Sequence, residues 1–254
     1  MKPDRRVILA VAALTVVLLG SISLNYLLFN QSMQYYLQLN GSRLDPLGLS
    51  HYSTAPDQRD LARPGLQTVV FFGDSRAADW TPPDLDQFEF VNRGIYAETS
   101  AQALLRFDYH VKPLMPDVVV VQVGINDLKA IPVLPDQKEA IVANCKENTR
   151  QIAEKATGSG AKVILTTIFP TGPVPLDRRL YWSDDVAVAI EEVSAFIRSL
   201  GGDDILILDA YSILANGVGS TRSEFSRDLL HLTAAGYRRL NDAFVPVLMG
   251  LASE

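Results

Sequence analysis

The sequence predicts an α/β domain built on a parallel β-sheet, preceded by one membrane-spanning helix. Three observations carry this expectation. Short runs of β-branched and aromatic residues alternate with longer segments of helical periodicity, the pattern of parallel strands covered by helices on both faces. Residues 118–121 are all valine, which suits a central parallel strand that is apolar on both sides. Near the N-terminus, Val7 to Phe29 is almost wholly apolar and carries no charge.

The N-terminal run comes first in the chain. A helix crosses a bilayer with about 20 apolar residues, so this segment is long enough. Lys2, Arg5 and Arg6 precede it, opposed only by Asp4, and the first basic residue beyond it is Arg43. That asymmetry predicts a cytoplasmic stretch at 1–6, a transmembrane anchor at 7–29 and the rest of the chain on the non-cytoplasmic side. The competing expectation is a cleaved signal segment, for which Ser21-Ile22-Ser23 is only a weak processing site. Residues 30–64 read as a connector punctuated by Gly41, Pro46, Gly48, Pro56 and Pro64. Within it, Ser32 to Leu39 can extend as a short helix. Residues 65–254 then form the folded domain.

Thr68 to Phe72 reads as a buried strand that Gly73 ends, and Phe88 to Val91 as a second short one. Asp117 to Val123 is the central strand. Pro135-Asp136 opens a helix with Ile141, Cys145, Asn148 and Ile152 on one face, stopped by Gly158 and Gly160. Lys162 to Phe169 is the next strand, ended by Pro170. Ser183 is placed to cap a helix carrying Val186, Ile190, Val193, Ile197 and Leu200 on one face. Gly201-Gly202 ends it, and Ile205 to Leu208 is the last strand. Thr233 caps a C-terminal helix with Tyr237, Leu240, Phe244 and Leu248 at helical spacing, in which Pro246 is expected to cause a kink or break.

Composition narrows the function. A net charge of -6 argues against nucleic acid as a partner, since such proteins present a basic surface. The one cysteine, Cys145, cannot form an intrachain disulfide and reads as a core residue. Three histidines, His51, His110 and His231, without a close His/Cys cluster predict no metal site. No cofactor is expected.

In parallel sheets, ligands bind beyond the carboxyl ends of the strands. Gly73-Asp74-Ser75 follows the first strand, Asn92-Arg93-Gly94 the second and Gly124-Ile125-Asn126-Asp127 the third. Asp228 and His231 follow the last. A serine hydroxyl becomes a good nucleophile when a base takes its proton, and histidine suits that task near neutral pH. Asp228, three residues before His231, can hold the ring by one nitrogen while the other faces Ser75. Backbone N–H groups at Ser75 and Gly94, with the Asn126 amide, can stabilise a developing oxyanion. Glycine at 94 would let substrate approach the main chain. Asp74 and Asp127 are expected to hold loops. Arg76 and Arg93 either pair with those two or bind an anionic group. The loop Pro170 to Trp182 either shapes a pocket or is a stiff surface segment.

Phe71-Phe72-Gly73-Asp74-Ser75, Asn92-Arg93-Gly94-Ile95, Val123-Gly124-Ile125-Asn126-Asp127 and Asp228-Leu229-Leu230-His231-Leu232 resemble the four signature blocks of SGNH (GDSL-type) serine hydrolases. The resemblance runs from about Thr68 to Leu248. It implies a three-layer α/β/α, flavodoxin-like fold and an esterase with Ser75, Asp228 and His231 as triad. It also implies an oxyanion hole from Ser75, Gly94 and Asn126. The implied substrate is an acyl ester: a lipid, an acylated glycan or a small ester. An O-acyltransferase using the same triad, and an inactive membrane-anchored binding protein, are the alternative expectations.

Overall fold

The computed structural model describes residues 4–52 and 65–251. The chain divides into two units, Met1–Pro46 and Leu47–Glu254. The first consists of helix α1, Arg5–Leu44, with no buried residue. Asp4 caps it by accepting the Arg6 N–H at 2.9 Å. It is long and apolar enough to cross a membrane, and it continues without interruption through the first part of the segment read as a connector. At 1.5 Å per residue its length is about 60 Å, roughly twice a bilayer's hydrocarbon core.

The second unit is built on five parallel strands in the order β2-β1-β3-β4-β5. They are β1 Gln67–Gly73, β2 Phe88–Gly94, β3 Val118–Gln122, β4 Lys162–Thr166 and β5 Ile205–Leu208. Successive side chains point to opposite faces. Val70, Phe72, Val119, Val121, Val163 and Leu165 join a core on one side, and Val69, Phe71, Val118, Val120 and Ile164 join a core on the other. The first core is closed by α3 (Ser100–His110), α5 (Lys138–Gly158) and α6 (Asp185–Ser199), and the second by α7 (Ala210–Leu214) and α8 (Ala234–Leu251). The result is the three-layer α/β/α, flavodoxin-like arrangement. Two short helices, α2 (Ser75–Ala78) and α4 (Ile125–Leu128), leave the ends of β1 and β3.

Several local outcomes differ from the sequence expectations. Strand β2 runs through Asn92, Arg93 and Gly94, which were expected to follow it, because they pair with Phe71, Phe72 and Gly73 of β1. Helix α3 was not foreseen, although Thr99 and Gln102 form a capping box at its start, a signal present in the sequence. Helix α8 continues through Pro246. Proline removes the hydrogen bond to Asp242, but both residues face solvent, where water can satisfy the freed carbonyl. Phe244 and Leu248 meanwhile pin both flanking turns to the sheet. Strand β4 stops at Thr166. The Thr167 N–H still bonds Leu208 O at 3.1 Å, while the Ile168 N–H turns to Ser194 Oγ at 3.2 Å. Capping at Thr233 is as expected, with its Oγ1 accepting the Gly236 N–H at 3.2 Å. Ser183 falls one residue ahead of the N-cap of α6, which is Asp184, though its Oγ still accepts the Asp185 N–H at 3.1 Å.

Candidate active site

Strand order reverses direction around β1 and β3, and that switch point is where open α/β sheets bind ligands. Ser75 lies two residues beyond β1, and Asn126 four beyond β3. Gly73 makes the first turn possible. Its φ of 145° lies where L side chains are rare, and a Cβ there would overlap Gln122 O. Asp74 then caps α2, its Oδ1 accepting the Arg76 N–H at 2.8 Å. The Ser75 N–H, first in the helix, is not used by that cap.

His231 arrives from the other end of the chain. Ser75 Oγ lies 3.0 Å from His231 Nε2. On the far side of the ring, His231 Nδ1 lies 2.9 Å from Asp228 Oδ2 and 3.0 Å from Oδ1. Asp228 Oδ1 also accepts the N–H groups of Leu230 at 2.8 Å and His231 at 2.9 Å. Burial works against charge on Asp228, but these backbone donors and the imidazole outweigh it and hold the carboxyl below its ordinary pKa. The carboxylate is therefore an anion at neutral pH, fit to accept an Nδ1 proton and leave Nε2 bare toward the serine hydroxyl.

Asn126 is buried, and its Nδ2 donates to Glu98 O at 2.9 Å. An amide nitrogen has two protons, so a second N–H is left. Gly94 is placed differently from the sequence expectation. Its N–H donates to Asn92 Oδ1 at 2.9 Å. A Cβ at 94 would overlap the Ala78 backbone, so the missing side chain makes room for α2 rather than for substrate. Its carbonyl accepts the Tyr52 hydroxyl at 2.7 Å, a tie from the segment ahead of β1 that sequence reasoning missed.

The charged neighbours divide clearly. Asp127 holds a loop, accepting the Ser100 N–H at 2.8 Å and its hydroxyl at 2.7 Å. Asp74 is wholly buried, and burial pushes its pKa up to about 7 against the opposing pull of Arg76. Arg76 pairs with neither aspartate. Its guanidinium is spent on main-chain carbonyls of Leu230, Phe169 and Pro170. Arg93 lies over the Tyr52 ring, 4.7 Å from its centroid. Glu98 and Arg106, both buried, form an ion pair beneath the site that the sequence did not suggest. Burial raises the Glu98 pKa despite that partner. Arg106 also donates to Gly73 O at 3.2 Å and Arg93 O at 2.9 Å, bracing the ends of β1 and β2.

The loop following Pro170 borders two cavities. One, of about 310 Å³, is lined by Pro175, Asp177 and Arg178 together with Asp228, Leu229, Leu230 and His231. The other, of about 500 Å³, is lined by Pro173, Val174, Arg179, Trp182 and Asp184. Of the two, the smaller is walled by His231.

A sequence profile of the GDSL-like Lipase/Acylhydrolase family matches residues 62–239. No curated protein was found to match. Solved structures of similar fold include a proposed acylhydrolase from Bacteroides fragilis, 23% identical with a TM-score of 0.65, covering 81% of this chain and 98% of that one. A GDSL-like lipase from Bacteroides thetaiotaomicron is 22% identical with a TM-score of 0.57, covering 82% and 97%. An acetyl xylan esterase is 25% identical with a TM-score of 0.56, covering 71% and 99%.

Proposed function

The chain belongs to the GDSL-like lipase/acylhydrolase family, and from that premise we propose that it cleaves carboxylic esters through an acyl-enzyme on Ser75. The observation that carries this reading is the relay Ser75 Oγ, His231 Nε2, His231 Nδ1, Asp228, with spacings of 3.0 Å and 2.9 Å.

Ser75 Oγ attacks the ester carbonyl carbon as its proton passes to His231 Nε2. The carbonyl π electrons move to oxygen, and the Ser75 N–H and the second Asn126 N–H stabilise the oxyanion. The Gly94 N–H can join them by sharing the proton it gives Asn92. Collapse breaks the bond to the alcohol oxygen, which takes the proton from His231. Water then repeats the sequence on the acyl-serine, giving its proton to His231, and Ser75 recovers a proton as the acid leaves. Asp228 stabilises the imidazolium in both halves.

The cavity beside His231 has a polar wall at Asp177 and Arg178. That lining suits a hydroxyl-rich alcohol, so an acylated glycan is the first substrate class to try, ahead of lipids and small esters. The apolar run of α1 acts as an anchor, with the basic N-terminus in the cytoplasm and the hydrolase domain on the opposite side.

Full-length protein in detergent should react covalently with a fluorophosphonate probe, and Ser75→Ala should not. Labelling retained in Ser75→Ala would overturn the nucleophile assignment. Product analysis on acetylated glycans, with and without a sugar acceptor, separates hydrolysis from acyl transfer.

A further inference from the structure

Ser75 and His231 lie on segments far apart in sequence, and on the mechanism above their hydrogen bond opens and re-forms in every turnover. Something else must keep the two segments in register while it is open. The residues beside the pair are Arg76 and Leu230. Arg76 Nε donates to Leu230 O at 2.7 Å, so a second rung runs next to the Ser75–His231 rung, between the same two segments. The same guanidinium donates to Phe169 O at 3.0 Å and Pro170 O at 3.5 Å. These residues begin the loop that borders the cavity beside His231. Gly172 closes the triangle, its N–H donating to Leu229 O at 2.8 Å.

The Arg76 side chain is fully buried and lies against the Phe169 ring, 5.3 Å from its centroid. Tyr237 donates its hydroxyl to Arg76 O at 3.0 Å, fixing the main chain behind it. Burial lowers the guanidinium pKa to about 10, opposed by Asp74, Tyr237 and Asp228. It therefore remains charged at neutral pH. A planar fork with five donors can hold three carbonyls at fixed directions, which a lysine ammonium on a flexible stem cannot.

On the reading of Ser75 and His231 given above, we propose that Arg76 is a positioning residue that sets the distance between nucleophile and base. It does so by tying α2 to the His231 loop and to the root of the cavity loop. Its hydrogen bonds are not consumed by the reaction, so it preserves the geometry through both acylation and deacylation.

The test uses full-length protein in detergent, with melting temperature, kcat, KM and fluorophosphonate labelling rate measured on the same preparations. Arg76→Met should lower both kcat and labelling rate about 100-fold, the scale expected for misplacement near 1 Å. KM should change far less. Arg76→Lys should recover part of the loss, and it decides the matter should Arg76→Met fail to fold. Thr221→Val is the control. Thr221 Oγ1 donates to Pro170 O at 2.7 Å, so this change weakens the same loop without touching the tie to α2. It should lower the melting temperature and leave kcat near wild type. A folded Arg76→Met or Arg76→Lys protein with wild-type labelling rate and kcat would overturn the proposal. So would an equal loss of kcat in Thr221→Val. Ser75→Ala separates the two levels of the argument, because labelling that persists there refutes the catalytic reading itself.

Discussion

The segments that carry Ser75 and His231 are held in different ways. Around Ser75, Asp74 and Arg76 are wholly buried and Ala77 is packed beneath Gly94. The start of α2 is held by the sheet, by α8 through Tyr237 and by the tight turn at Gly73. The His231 loop is open by comparison. The His231 side chain is 23% exposed and Asp228 50%, and much of its order comes from Asp228 folding back onto the N–H groups of Leu230 and His231. The Ser75 end of this pair is set by close packing, the His231 end by a few directional hydrogen bonds. Damage near Ser75 that leaves the Arg76 tie to the His231 loop intact should therefore appear first as lost stability, and damage to that tie or near His231 first as lost activity.

The largest expected effect tests the pair itself. Ser75→Ala and His231→Ala should each lower kcat by about 10⁴-fold or more, the cost typical of removing a triad member. Circular dichroism should show both variants folded. Wild-type turnover in either would break the comparison at its root.

Asn126→Ala comes next. On the proposed mechanism its spare N–H serves only once the carbonyl oxygen becomes an anion, so kcat should fall by about 10²–10³ with KM much less altered. A loss of melting temperature with unchanged kcat would reduce Asn126 to a brace for Glu98 O.

Asp74 sharpens the stability side. Its folded pKa of about 7 lies above the ordinary value of 3.8. The unfolded chain therefore releases this proton first as pH rises. The associated stability is fully present below the unfolded value and is lost as pH climbs through about 7. Asp74→Asn should remove that slope, leaving melting temperature flatter between about pH 4 and 7, a difference of a few kcal/mol at most. An unchanged slope would show that another group is responsible.

The smallest effect concerns Tyr52. Tyr52→Phe deletes the donor to Gly94 O and should cost about 0.5–1.5 kcal/mol of stability. Activity should stay near wild type, because α2 is held by several other contacts. A loss of kcat larger than the loss of stability would mean that the oxyanion side is as loosely set as the base.

Some of this is legible in the sequence alone, and for a physical reason. Strand and helix identity follow from the period of apolar residues, which local backbone geometry imposes. The four valines of β3, the apolar face of α6 and the capping residue Thr233 were readable in that way. So was the order in which Gly-Asp-Ser, Gly-x-Asn-Asp and Asp-x-x-His follow the first, third and last strands, and these blocks place Ser75, Asn126, Asp228 and His231 at one edge of the sheet. Tertiary structure decided what no period encodes, namely which polar group meets which across the fold. Arg76 could have met an aspartate but met three carbonyls. Gly94 was open to a substrate in sequence terms, yet its empty Cβ position is filled by the backbone of α2. Pro246 was expected to kink or break α8, yet the helix runs on through it, with Phe244 and Leu248 packed on either side. Each outcome depends on burial by residues distant in the chain, because a buried donor or charge takes whatever partner the packed interior leaves within reach.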